Sequence, residues 1–423
     1  MVYILKRLVA LFVLVVILST YSFSYADDLN LTGEAAILMD VDTMEILYSK
    51  YPHQKLYPAS TTKIMTGILA IELGNMNDIV TIDQEVVNLT DGSHIALEPG
   101  EEISLEHLIN ALMIESANDA ALAIAKHISG SVDEFVKLMN EKAKAIGALN
   151  TNFVNPNGLP HEDHVTTAYD LAVMAKYAME NEVFRDIVKN YTYTIPITNK
   201  KSEERNLWSN NRLLYSTERI NVDGKQTTIK YEGVNGVKTG YTIAAQQCLV
   251  SSYEKDGHKL IAVVLKSSGK NVYADIHKLL NYGVANFEMA RIGFGNKFID
   301  NFPVENGVQA FVAGVTKSDT YYIVEKNKAD LVEERITKND LEAPISKGEV
   351  IGKVEYYLEG KKVAETDIIS TLDIDPIPVP SLLDKIKSKW YLFVFLLLFL
   401  IRLWSFTRRR KRLKRRRSTL FGT

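Results

Sequence analysis

Residues 390–401 are twelve apolar residues without a break, and the chain turns sharply basic behind them. Twelve is short for a bilayer span, but Arg402 can reach the interface along its own stem. Leu403, Trp404 and Phe406 lengthen the segment, 390–406, to about 17 residues. The cluster between Arg408 and Arg417 predicts a cytoplasmic basic tail over 407–423. A helix lying in the interface is the competing reading. At the other end, Lys6-Arg7, the apolar stretch 8–18 and Ser24-Tyr25-Ala26 have the layout of a signal peptide over 1–26, cleaved before Asp27; an uncleaved anchor is the alternative. Everything between must therefore fold outside the cytoplasmic membrane, on a single tether.

That compartment would allow disulfides, yet the chain has one cysteine, Cys248, so the fold has to rest on its core. Cys248 sits in an apolar run, Cys248-Leu249-Val250, which reads as a buried and inert thiol. The basic ends also disguise the charge of the middle. Residues 27–389 hold 37 basic against 52 acidic residues, a net charge of −15. Such a surface is unsuited to nucleic acid, whose binding rests on phosphate neutralisation.

Hydrophobic periodicity divides the exported part in two. Residues 31–58 alternate as strands; the segments 60–73, 106–114, 119–128, 133–146 and 168–179 have helical spacing. Strands return from about 186. Residues 248–253 and 260–265 flank Lys255-Asp256-Gly257 as a hairpin, and 276–287 is helical. This order predicts an α+β domain over 27–291, an antiparallel sheet with helices packed on it. Residues 292–376, short alternating runs split by Asn306-Gly307, Ala343-Pro344 and Glu359-Gly360, predict a small all-β domain. A proline-rich linker at 377–389 leads to the anchor.

Within the α+β part, "YPASTTKIMTG" (57–67) places Ser60 three residues before Lys63 at a helix start, on one face. A serine hydroxyl is a weak nucleophile until a base takes its proton, and a lysine serves if burial and nearby positive charge lower its pKa. The helix start would also favour an oxyanion through the Ser60 N–H. The alternative is a helix cap beside a solvated lysine. Ser116-Ala117-Asn118 lies between two helices, where the hydroxyl could relay a proton and the amide could hold Lys63; Ser116 could equally be a cap. Lys238-Thr239-Gly240 follows the turn Asn235-Gly236. There Lys238 and Thr239 could bind a carboxylate, and Gly240 could let a substrate chain approach the backbone. The alternative is an ordinary strand end. Ser252/Lys255 and Ser267/Lys270 repeat the first pattern and Ser209-Asn210-Asn211 the second, so each motif alone is weak. The ordered set is stronger: Ser60 to Ser116 is 56 residues and Ser116 to Lys238 is 122.

With "MIESANDAALAIAKHISG" (113–130), "TTAYDLAVMAKYAM" (166–179), "NNRLL" (210–214) and "VNGVKTGYT" (234–242), this set resembles the serine-type D-alanyl-D-alanine carboxypeptidases, the low-molecular-mass penicillin-binding proteins of the β-lactamase/DD-peptidase superfamily. The resemblance implies removal of the terminal D-alanine from peptidoglycan pentapeptide stems, inhibition by β-lactams, and no metal or other cofactor. It implies Ser60 as the acylated nucleophile, Lys63 as its base, and Ser116 and Asn118 as aids to proton transfer and orientation. Lys238, Thr239 and Gly240 would bind substrate, and the Thr242 N–H would be the second oxyanion donor. An arginine common near the start of the helix after the hairpin is not matched; Lys270 is the nearest cation. Endopeptidase or transpeptidase chemistry on the same fold, a class A-like β-lactamase using Glu162, and a non-catalytic wall-binding scaffold are the other readings. His161 and His164 lack further His or Cys partners at zinc spacing.

Overall fold

The computed structural model describes residues 29–379 and 381–418; the expected signal peptide at 1–26 lies outside them, as does the end of the basic tail. The chain divides into two compact units, one of residues 29–290 with Tyr321–Asp330, the other of Arg291–Thr320 with the residues from Leu331 onward.

In chain order the first unit builds β1 (Ala35–Asp40), β2 (Ile46–Lys50), α1 (Lys63–Leu73), α2 (Asn118–Ser129), α3 (Ala168–Glu180), β3 (Val234–Thr242), β4 (Gln246–Lys255), β5 (His258–Ser267) and α4 (Asn271–Asn286). The sheet is antiparallel with strand order β2-β1-β5-β4-β3, as the α+β reading expects. The expected hairpin at 255–257 joins β4 and β5. β1 is buried at all six residues rather than on alternate ones, because helices cover both faces of the sheet. Ala35, Ile37 and Met39 join the core formed with α1, α2 and α3. Leu38 meets α4 on the other face, where Gly283 is packed so closely that an added Cβ would lie 2.8 Å from it. Asp275 of α4 ties the start of β1 in place, accepting hydrogen bonds from Thr32 and Gly33 N–H groups and from the Thr32 and Ser267 hydroxyls. One of the two later Ser-x-x-Lys serines is thereby a structural crosslink.

The helix expected from Ser60 begins later. Residues 59–62 form a 3-10 turn and α1 opens at Lys63, with no side-chain cap from Thr62. Three successive interhelix segments do supply side-chain caps: Ser131, Thr167 and Asn181 each accept from a backbone N–H in the first turn of the following helix.

The second unit holds a six-stranded sheet, ordered Glu333–Lys338, Val350–Leu358, Lys361–Ser370, Phe311–Thr316, Phe298–Glu305 and Leu341–Glu342, antiparallel except for the last pair. Phe302, Val354, Tyr356 and Ile368 form its core. Further on, a short helix, Leu382–Ser388, opens on a capping box between Ser381 and Asp384. The helix Trp390–Ser418 contains the one described segment long and apolar enough to cross a membrane, Trp390–Arg412.

Candidate active site

Pro58, Ala59 and Ser60 form the centre of the site because two glycines hold them from opposite partners. A Cβ on Gly158 would lie 1.9 Å from the Ala59 carbonyl oxygen, and one on Gly240 would lie 2.9 Å from the Pro58 oxygen and 3.0 Å from the Ser60 nitrogen. Gly158 also has φ +87°, a conformation costly for any other residue. Ala59 itself has φ +49°, a strained value that the surrounding contacts sustain. The missing side chain of Gly240 thus admits the Ser60 turn, whereas the sequence suggests room for a substrate chain. The sequence holds no signal for this contact, since it joins residues 180 positions apart.

Lys63 follows one turn on and is fully buried. Its ammonium donates to Ser60 Oγ at 3.0 Å, Asn118 Oδ1 at 2.6 Å and the Asn157 carbonyl at 2.7 Å. None of these partners carries a charge. Burial, reinforced by the neighbouring Lys238, therefore holds the Lys63 pKa well below its ordinary value. Asn157 belongs to a loop that also receives the Thr66 hydroxyl on the Pro156 carbonyl at 2.6 Å. His164 fastens the same loop to the turn. The Val154 N–H donates to its Nδ1 at 3.1 Å, so the other nitrogen carries the proton and Nε2 donates to Thr62 Oγ1 at 2.8 Å. Burial lowers the His164 pKa to about 4, which keeps this tautomer neutral. Glu162 in that loop is exposed.

Ser116 and Asn118 are set by an irregular helix end. Residues Ala111–Glu115 form a π turn, and Ser116 is left-handed at φ 66°, ψ 32°. The first position of α2 is capped by Ala117, so Ser116 is not the helix cap. The Asn118 amide is oriented from both ends: its Nδ2 donates to the Asp91 carbonyl while Oδ1 receives Lys63. Asp119 accepts from Ile95 and Leu97 N–H groups and so fixes the segment that holds Asn118. Asn210, in the second Ser-x-Asn, caps the π turn instead, donating to the carbonyls of Ile114 and Glu115.

Lys238 and Thr239 lie on β3, the edge of the sheet, beside the Ser60 turn. Lys238 is buried at 2% exposure, and its only hydrogen bond among the described residues is a long one, 3.3 Å, to the Thr239 carbonyl. Burial lowers its pKa to about 7, against the opposing pull of Glu115. Glu115, given no role by the sequence reading, is held by the Trp208 N–H at 3.0 Å. The Thr242 hydroxyl accepts from the Ala245 N–H and closes the β3–β4 turn. Cys248 pairs with Gly240 across the ladder, buried, its pKa pushed up to about 12 by burial. Lys270 is exposed and ion-paired to Glu218, which also binds Arg212.

This assembly can deprotonate a hydroxyl with a neutral amine and offers a second ammonium for an anionic group. Residues 22–269 match a family model described as D-alanyl-D-alanine carboxypeptidase, and residues 287–376 one described as penicillin-binding protein 5, C-terminal domain. The chain is 33% identical over 403 residues to D-alanyl-D-alanine carboxypeptidase DacF of Bacillus subtilis, covering 91% of this chain and 99% of the relative. Penicillin-binding protein 5 of Haemophilus influenzae is similar in structure, with TM-score 0.66 and 30% identity over 82% of this chain and 98% of that one. A Streptomyces K15 DD-transpeptidase is also similar, with TM-score 0.55 and 29% identity over 60% of this chain and 98% of that one.

Proposed function

The chain belongs to the D-alanyl-D-alanine carboxypeptidase family of serine peptidases, and from that premise we propose that it removes the terminal D-alanine of peptidoglycan stem pentapeptides through an acyl-enzyme on Ser60. The observation that carries this reading is the contact of Ser60 Oγ with a buried Lys63 whose proton affinity is depressed. The stem peptide lies along β3, its terminal carboxylate on Lys238 and Thr239. Lys63 takes the Ser60 proton as Oγ attacks the penultimate carbonyl carbon, and the Ser60 and Thr242 N–H groups receive the oxyanion. The C–N bond then breaks, the proton passes through Ser116 to the leaving D-alanine amine, and water releases the acyl group. Asn118 holds Lys63 throughout. β-Lactams, entering the same site, stop at the acyl-enzyme.

The same proposal places the catalytic body outside the cytoplasmic membrane, exported by residues 1–26, tethered by 390–406 and with 407–423 inside. The apolar helix Trp390–Arg412 supports the tether. A D-alanine release assay on pentapeptide and on crosslinked muropeptides tests the reaction. Release from pentapeptide, lost in Ser60→Ala, is expected; cleavage or formation of crosslinks without such release favours the endopeptidase or transpeptidase reading.

A further inference from the structure

The six-stranded sheet of the second unit ends on a strand, Glu333–Lys338, whose six residues are all exposed. One side of it pairs with Val350–Leu358; the other faces no strand among the described residues. The ladder shows which backbone groups are left over. The Asn339 N–H donates to the Ile351 carbonyl at 3.1 Å, and the Thr337 oxygen would lie 2.6 Å from a Cβ on Gly352, so the odd positions turn towards the ladder. Glu334, Ile336 and Lys338 therefore turn their N–H and C=O groups out of the sheet. Their side chains share the face that carries the core. Ile336 stands opposite Val354, a core residue, yet is 46% exposed because the sheet stops beside it.

We propose that this strand pairs antiparallel with itself in a second copy of the chain, about a twofold axis at Ile336, so that two sheets join edge to edge. Charged side chains on an edge ordinarily block such pairing; here they select one register of it. An antiparallel partner must set its own outward-turned residues opposite Glu334, Ile336 and Lys338. With Ile336 opposite Ile336, Glu334 meets Lys338 of the second copy at both ends, and Arg335 meets Thr337. Sliding the partner two residues one way puts Arg335 directly on Arg335. Sliding it the other way puts Glu334 on Asp340, so both neighbouring registers oppose like charges. Within one chain Lys297 holds Glu334 at 2.7 Å, and Asp300 holds Lys338. The pairing lines up Lys297 and Glu334 with Lys338 and Asp300 of the second copy, signs alternating along the row. The two Ile336 side chains cover each other and carry the core face across the axis. The contact is small for a specific interface, and two chains on the proposed tether, meeting in one membrane, raise its occupancy. The inference does not depend on the peptidase reading.

The test is sedimentation of the full chain in density-matched detergent across a dilution series, where a monomer–dimer equilibrium is expected. Ile336→Pro should abolish the dimer. The N–H it removes points away from the ladder, a position where an edge strand accepts proline, so the thermal midpoint should stay close to the wild type. Glu334→Lys and Lys338→Glu should each weaken self-association about tenfold. An equimolar mixture of these two variants should recover most of the lost association, because each facing pair again joins opposite charges. A wild type that stays monomeric throughout, a dimer that survives Ile336→Pro, single reversals without effect, or a mixture no better than its components overturns the proposal.

Discussion

Lys63 and Lys238 are two fully enclosed lysines in one site, and each has its proton affinity lowered, Lys63 partly by Lys238 itself. In the proposed mechanism the pair divides two tasks between chemically identical groups. Lys63 has only neutral partners and is driven towards the free amine; Lys238 keeps the influence of Glu115 and stays closer to charge near neutrality.

Lys63→Arg should be as inactive as Lys63→Ala. A guanidinium cannot give up its proton in this range, so charge and approximate size are retained while the base is lost. The acylation rate with labelled penicillin should fall about 10³-fold or more in both variants.

The pH profile follows from the same two shifts. The proposed mechanism needs Lys63 neutral, and since its pKa is depressed the rate should rise with pH well before the ordinary lysine range. Lys238 must be charged to hold a carboxylate, and with a pKa of about 7 in the free enzyme that hold weakens as pH climbs above 7. kcat/KM, which reports the free enzyme, should be bell-shaped for an acid-terminated peptide and should lose its alkaline limb for a substrate with an amidated end.

Glu115→Gln should move that alkaline limb to lower pH. The carboxylate raises the Lys238 pKa, and the amide removes the charge while its oxygen can still accept from Trp208 N–H. The limb staying in place would separate Glu115 from the lysine's charge state.

The sequence disclosed what is local or repetitive. The hairpin at Asp256-Gly257, the helix 168–180 and the alternating runs beyond 298 all follow from turn chemistry and period. The motif serine and lysine were legible because Ser60 and Lys63 are neighbours on one turn. What could not be read depends on packing between distant segments. Asn157 reaches Lys63 through a carbonyl, a group every residue carries. His164 acts through a tautomer fixed by Val154 N–H, and Gly240 is required by a backbone 180 residues earlier. Ser60 itself lies in a 3-10 turn because the close approach of β3 and Gly158 overrides the helical periodicity of 60–73.

Gly158→Ala should therefore be more harmful than its size suggests. It adds a Cβ 1.9 Å from the Ala59 oxygen at a positive φ, and the turn must move. A stability loss of about 2–4 kcal/mol in thermal denaturation is expected, with acylation by penicillin reduced further than stability alone explains. Gly147→Ala, also at positive φ but facing open space, should cost about 1 kcal/mol and leave acylation unchanged.

Asp275→Asn should reduce stability by about 2–3 kcal/mol without altering the pH profile. Four donors converge on this buried carboxylate, and an amide can satisfy only part of them. A lowered thermal midpoint with unchanged kcat/KM in the folded fraction is the expected result.

The π turn at Ala111–Glu115 has a consequence for how this chain can vary. An α-helix advances about 100° per residue, and the wide turn accommodates one residue more than the regular spiral would. Deleting one residue of the turn would close it as an ordinary α turn and leave Ser116 and Asn118 near their present aim, whereas a further insertion, with no wider ring to absorb it, would swing both about 100° away from Lys63. The segment behaves as a register that is already filled: it tolerates a residue fewer, but not one more.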